Sequence, residues 1–295
     1  MRFDSVKELK GEVFRRLTGV QRSTFEEMAG LLFAAKRAQK AVGGKPNTLC
    51  IEDQLLMMLE YWREYRTYFH IGQARGISES AAYRNIIKWC ENTLAKSKGF
   101  RLPGRKAIAA SERDFDIVLI DATETPVERP KKKQRRSYSG KKKRHTLKTR
   151  LVVEKSTRRI HCLSHDKGRR HDFRLFKTSN VHLHPETKAV VDSGYQGLQR
   201  RHAKTSMPKT RSKKNTLSAT DKVKNRAISS ERVPCENVIA ISAQAFPTSC
   251  ACWNLKPAAL KRFKIIADRY RNRRRRFGLR FFLIAAIYNK ELRAA

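Results

Sequence analysis

Charge constrains this chain before any motif does: 66 Lys and Arg stand against 27 Asp and Glu, a net charge of +39 over 295 residues. A folded chain this basic repels itself, and a polyanion relieves the repulsion. Nucleic acid is the first partner to consider, because each phosphate contact releases condensed counterions. An anionic membrane surface is the second, but neither end carries an amphipathic Lys/Trp-rich helix that would lie on lipid. The longest apolar stretch, FFLIAAIY at 281–288, is too short to span a bilayer. The opening MRFDSVKELK puts charge where a signal peptide has its apolar core, so the expected location is the cytoplasm, on the nucleoid. Hydrophobic residues make up 40%, enough for real cores in one large domain or two ordinary ones. Cysteines at 50, 90, 162, 235, 250 and 252 show no paired spacing and read as free thiols. Cys250 and Cys252 by themselves lack the four ligands that zinc wants.

Residues 1–100 read as a helical domain. Leu55, Leu56, Leu59 and Trp62 recur at helical spacing in a segment from Glu52 to Tyr65. A short helix over Tyr68–Arg75 follows, with Gly76 as its C-terminal cap. Ser78 then caps a further helix whose buried stripe is Ala81, Ala82, Ile86, Ile87 and Trp89. Short helix, Gly turn and second helix make a helix-turn-helix pattern. In that arrangement the second helix enters the major groove and presents Ser78, Glu79, Ser80, Tyr83 and Arg84. An ordinary helical hairpin in a core has the same pattern; the charge favours DNA.

Residues 101–112 hold Gly and Pro without a clear period and read as a linker. From 113 to 295 the pattern is that of an α/β sheet domain. FDIVLIDAT, HTLKTRLVVEK and RRIHCLSHDKG are three antiparallel strands, and KAVVDSGYQG is an isolated fourth before helices. Asp121 and Asp192 each end an apolar strand, where carboxylates on neighbouring strands converge and can hold Mg²⁺ through oxygen; the alternative is that strand-end acids of this kind cap loops or helices. Two such ions serve phosphodiester chemistry. A third acid is wanted on a helix packed against the sheet. The signature Ser218-x-x-Asp221 starts one, with Glu231 and Glu236 as candidates and Pro234 as a warning of a kink.

Between the first two strands, Lys131–Lys148 projects ten Lys and Arg, among them Lys131, Lys132, Lys133, Lys141, Lys142, Lys143 and Arg144. Such a loop grips phosphates without reading bases. His171-Asp172 reads as a structural element after the third strand.

IDATE at 120–124, ERPKKKQRRSYSGKKKRHTLK at 128–148, GRRHDFRLF at 168–176, VDSGYQG at 191–197, ERVPCENVI at 231–239 and YRNRRRRFGLRFFLIAAIYN at 270–289 stand in this order. Together they resemble the bacterial insertion-sequence transposases of family five, from about residue 50 to the C-terminus. The resemblance implies the RNase H-like DDE nuclease fold, with Asp121, Asp192 and Glu236 as the triad. It implies two Mg²⁺ ions, with Mn²⁺ as a substitute, and DNA contacts from Arg232 and a downstream Lys. The implied partners are the element's inverted repeats and target DNA, bound by a homo-oligomer, with no membrane.

Residues 241–258, ISAQAFPTSCACWNLKPA, hold one charged residue, Lys256, in eighteen positions. With them removed, ENVIA joins ALKRFKIIADRYRNR and Lys261 falls seven residues after Glu236, two turns along the same helix face. The segment therefore reads as an insertion, expected to break the helix after Glu236 and move Lys261 away. Two functions compete: an active transposase, and a DNA-binding copy silenced by that insertion. A basic RNA-binding structural protein does not require acids at strand ends.

Overall fold

Internal contacts divide the chain into two units, one of Met1–Arg101, Arg262–Asp268 and Leu279–Ala295, the other of Leu102–Lys261 and Arg269–Gly278. The structure, a computed structural model, describes residues 2–39, 47–110, 116–211, 216–239, 260–272 and 274–293.

The first unit is helical: α1 (Gly11–Thr18), α2 (Arg22–Ala38), α3 (Ile51–Arg63), α4 (Tyr68–Gln73) and α5 (Glu79–Tyr83). From α5 the chain continues through wider π-type turns at Arg84–Glu91 into α6 (Asn92–Lys96). The apolar periodicity explains α3, since Leu55, Leu56, Leu59 and Trp62 are all fully buried. The Cys50 thiol accepts the Asp53 N–H at its start. Gly76 has φ +68°, the left-handed turn that favours glycine. The Ser78 hydroxyl accepts the Ala81 N–H at 3.2 Å and starts α5. Ala82, Ile86 and Ile87 face the core.

The expectation of one catalytic domain from 113 to 295 differs from this division. Two C-terminal stretches group with the first unit, where they bring buried apolar residues such as Ile265, Phe281 and Ile284 and two sets of charge contacts. Glu91, fully buried, accepts from Trp62 Nε1 at 3.0 Å and from Arg280 Nε at 2.7 Å. Glu291 accepts from Arg15, Arg262 and the Gln21 amide at 3.0, 2.9 and 2.6 Å. The expected linker also contains a helix, α7 (Arg105–Ala110), whose Ile108 is fully buried in the second unit.

That second unit is built on β1 (Ile117–Pro126), which pairs antiparallel with β3 (Arg144–Glu154) and parallel with β5 (Lys188–Val191). Beyond β3 lies β4 (Ile160–Lys167), antiparallel to it; β2 (Tyr138–Ser139) pairs with the start of β3, and β6 (Thr205–Ser206) lies parallel to β5. The fourth strand of the sequence is thus a central neighbour of β1. The sheet's even-numbered face buries Val118, Ile120, Val152 and Cys162 with Ala189 and Val191. There it meets Ile108 of α7, Phe176 of α8 (Asp172–Thr178) and Tyr195. The helix α9 (Ala219–Ile239) packs on β1 and β5. Two further α-helices among the described residues are α10 (Lys264–Ala267) and α11 (Phe277–Arg293). A helix-turn-helix region followed by a mixed-sheet α/β domain is the expected fold class. Among the described residues no helix is long and apolar enough to cross a membrane.

Candidate active site

Register places the two aspartates. β1 and β5 run parallel with Ile120 beside Val191, so the next residues, Asp121 and Asp192, leave the pairing side by side. Asp121 is not at a strand end, as expected, because β1 continues to Pro126 with Asp121 opposite Leu151 of β3. Asp192 does end its strand, where its carboxylate accepts the Ser193 N–H at 2.7 Å. The Asp121 carboxylate accepts the Ala122 N–H at 2.8 Å.

The expected capping signature starts α9: the Ser218 hydroxyl accepts the Asp221 N–H, and the Asp221 carboxylate accepts the Ser218 N–H, at 3.1 and 3.2 Å. Pro234 lies inside α9 without ending it. Glu231 is occupied by Lys155 and Lys188, each at 3.0 Å. Glu236, whose side chain is 53% exposed, is left facing the aspartates' side.

What joins the three acids is Arg232, one turn before Glu236. Its Nη2 is 3.4 Å from Asp121 and 3.8 Å from Glu236, and its Nη1 is 3.4 Å from Asp192. Sequence reading placed Arg232 on DNA and missed this contact; its i,i+4 spacing to Glu236 was the available signal. Burial pushes the Asp121 carboxyl up from 3.8 to about 6, against Arg232 and the Ala122 N–H, which pull it down; Asp192 and Glu236 push it further up.

Lys261 lies outside α9, yet within electrostatic reach of Asp121. Burial and Lys142 lower its ammonium pKa, and Asp121 raises it. The expectation is that 241–258 moves Lys261 away; next to Lys261, Leu260 hydrogen-bonds Val238 at 3.3 Å and so returns the chain to the end of α9. Residues 241–258 themselves, with Cys250 and Cys252, lie outside the described residues.

Ser78, Glu79, Ser80, Tyr83 and Arg84 are all exposed along the start of α5 and beyond it. Lys131, Lys132, Lys133, Lys141, Lys142, Lys143 and Arg144 are exposed on the β1–β3 connection. Lys148 is the exception among the ten basic residues. Buried on β3, it pairs with Asp172 at 2.8 Å and Glu124 at 3.6 Å, which gives His171-Asp172 a structural place.

Asp121 and Asp192 fit a hard divalent cation: two adjacent carboxylates are what Mg²⁺ uses beside waters and substrate phosphates. As the side chains stand, no three His, Cys, Asp or Glu among the described residues form a ready cage; Arg232 holds the position between them.

A family model described as DDE superfamily endonuclease matches residues 120–278, and one described as helix-turn-helix of DDE superfamily endonuclease matches 47–98. The chain is 43% identical over 292 residues, 99% of each chain, to a Microchaete diplosiphon protein described as "Probable transposase for insertion sequence element IS702". No solved structure matches. The nuclease match opens on the strand that carries Asp121 and encloses Asp192, Arg232 and Glu236, while the other covers the exposed face at Ser78–Arg84, and on both counts the chain belongs to the DDE superfamily endonucleases of the transposases, with their helix-turn-helix.

Proposed function

We propose that this chain is an insertion-sequence transposase of family five, acting in the cytoplasm on double-stranded DNA. The helix-turn-helix binds the element's terminal inverted repeats, with Ser78, Ser80, Tyr83 and Arg84 toward the major groove. Asp121, Asp192 and Glu236 are the triad that holds two Mg²⁺ ions, or Mn²⁺ in their place. When bound, the ions activate the attacking oxygen and stabilise the leaving one. Water adds to the phosphorus at the element end and the bond to the 3′ oxygen breaks; the freed 3′-hydroxyl then attacks a phosphorus of target DNA, and the target strand's own 3′ oxygen leaves as a hydroxyl. Arg232 and Lys261 hold backbone phosphate beside the acids, and the basic connection between β1 and β3 grips the flanking duplex. Pairing two element ends calls for a homo-oligomer.

The observation that carries this reading is the side-by-side placement of Asp121 and Asp192, with Arg232 linking both to Glu236. The bond from Leu260 to Val238, which returns the chain to α9 beside Lys261, supports an active protein over a copy silenced by residues 241–258. The test is cleavage of a labelled fragment carrying the element's own ends, with Mg²⁺ and with EDTA, beside Asp121→Asn. Metal-dependent nicking at the ends, lost in the variant, is the expected result. End-specific binding without nicking identifies the silenced copy instead.

A further inference from the structure

The connection between β1 and β3 is a built element. Lys133 takes a left-handed backbone, φ 54°, into a tight turn at Gln134–Arg136. Ser137 is fully buried, and its carbonyl accepts the Thr146 N–H at 2.8 Å. The buried Ser139 hydroxyl accepts the Lys142 N–H at 3.2 Å. This frame encloses an open cleft of about 650 Å³ whose walls include Arg129, Gln134, Arg135, Tyr138, His145 and Arg169.

None of the side chains lining the cleft is acidic. Gln134 Oε1 accepts from Arg129 Nε at 2.8 Å and so fixes that guanidinium. Arg169 comes from the GRRHDFRLF motif; its neighbour Arg170 is paired with Asp166 at 2.8 Å, whereas Arg169 is exposed. The Tyr138 ring meets His145 edge to face, centroids 5.5 Å apart and planes at 74°, and remains 41% exposed. His145 Nδ1 is buried with no hydrogen-bond partner among the described residues.

We propose that this cleft binds one unpaired nucleotide of DNA, its base against Tyr138 and its flanking phosphates against Arg129, Arg135 and Arg169. The proposal rests on the reading of the chain as a DNA-cleaving transposase. Gripping duplex phosphates needs cations and no ring. A partly exposed aromatic ring among guanidinium groups suits a base that has left its stack, because every base offers a π-face. The volume lies in the range of small-molecule pockets, which is the scale of a nucleotide and far below that of a duplex. Position agrees as well. His145 and Leu151 lie on one strand, and Leu151 faces Asp121, so the cleft stands roughly 20 Å from that carboxylate at about 3.4 Å per residue. One DNA strand can therefore reach both.

The test uses the full chain in EDTA and fluorescence anisotropy with three labelled probes: an intact duplex, the same duplex with a single unpaired nucleotide, and single-stranded RNA. The unpaired position carries 2-aminopurine. The wild-type chain is expected to favour the unpaired-nucleotide duplex by roughly tenfold, the scale of one base–aromatic stack, with quenching of the 2-aminopurine. Tyr138→Ala should lose both preference and quenching while intact-duplex binding stays within about twofold; Tyr138→Phe should keep all three. Equal loss on both duplexes in Tyr138→Ala, a preference that survives it, or tighter binding of the RNA overturns the proposal. Metal-dependent nicking that persists in any of these cases leaves the transposase reading standing. Absence of nicking with the tyrosine-dependent preference intact sinks that reading alone.

Discussion

The amide of Leu260 donates to the carbonyl of Val238 at 3.3 Å. Counted with 241–258 removed, Leu260 is the fourth residue after Val238, and this is the bond that an uninterrupted α-helix would make there. The bond ties the chain on the far side of 241–258 back to the end of α9, where Asp121 is among the charges that act on Lys261.

Deleting 241–258 should therefore leave the fold intact. Holding together the two ends of an eighteen-residue stretch costs on the order of 2 kcal/mol, so the deletion is expected to raise the melting temperature by about 4–8 °C with end cleavage kept or increased. Scanning calorimetry checks the first and the nicking assay the second. A lowered melting temperature would mean that the segment contributes packing, and the register argument would fail.

The Asp121 carboxyl gives a pH dependence whose sign is fixed. Burial holds it at about 6 against an ordinary 3.8. Below the ordinary value it is protonated in both states and its environment costs nothing. Between the two values the folded state binds the extra proton, so stability falls as pH rises and the loss is complete above about 6. The loss is up to about 3 kcal/mol. In EDTA, wild type should therefore weaken relative to Asp121→Asn between pH 4 and 7, by urea unfolding. Parallel curves for the two proteins would refute the assignment.

Arg232 compensates three acids at once, and Arg232→Gln removes that cation. Because the Asp192 side chain is 37% exposed, the cost is expected near 2 kcal/mol, below the range for a fully buried pair. Mg²⁺ should restore much of it by occupying the same electrostatic position. The readout is the Mg²⁺-induced shift in melting temperature, larger in the variant than in wild type. Equal shifts would show that Arg232 and the ion do not compete.

Glu91→Ala strips both Arg280 and the Trp62 N–H of their buried partner. Such a loss costs about 3–5 kcal/mol, which should unfold the first unit at much lower urea. Trp62 fluorescence follows it. A shift smaller than about 1 kcal/mol would mean that the Arg280 charge finds another partner.

Arg84 is exposed on the helix-turn-helix. Arg84→Ala should weaken binding to the element end by about 1–3 kcal/mol with an unchanged melting temperature. A gel-shift titration against a scrambled end separates specific loss from general loss; equal weakening on both sequences would make Arg84 a phosphate contact only.

Much of this was legible because the signals are local. Ser78 as cap, Gly76 at positive φ and the Ser218/Asp221 reciprocal cap each depend on residues within one turn, and apolar runs mark β1, β3, β4 and β5 by composition alone. Four features were not legible. The parallel seat of β5 beside β1 is decided by packing between segments far apart in sequence. The pairing of Glu231 with Lys155 and Lys188 follows no spacing rule, although the resemblance already pointed to Glu236 as the third acid. Pro234 is carried within a helix that packs on the sheet, overriding its intrinsic preference. The return of the C-terminal stretches to the first unit combines buried apolar side chains of α11, such as Phe281 and Ile284, with the contacts of Glu91 to Arg280 and of Glu291 to Arg15 and Arg262, partners that sequence separation conceals.

That return has a consequence in time. Translation delivers Trp62 and Glu91 early, at roughly 5–20 residues per second, but Arg280 and Glu291 only after all of the second unit. The nuclease unit can complete its sheet while the helix-turn-helix unit still lacks the residues that neutralise its core. A nascent chain thus holds its helix-turn-helix segment and all three candidate acids before Arg280 arrives, and a message truncated within the second unit yields a product in which Glu91 lacks its contact with Arg280.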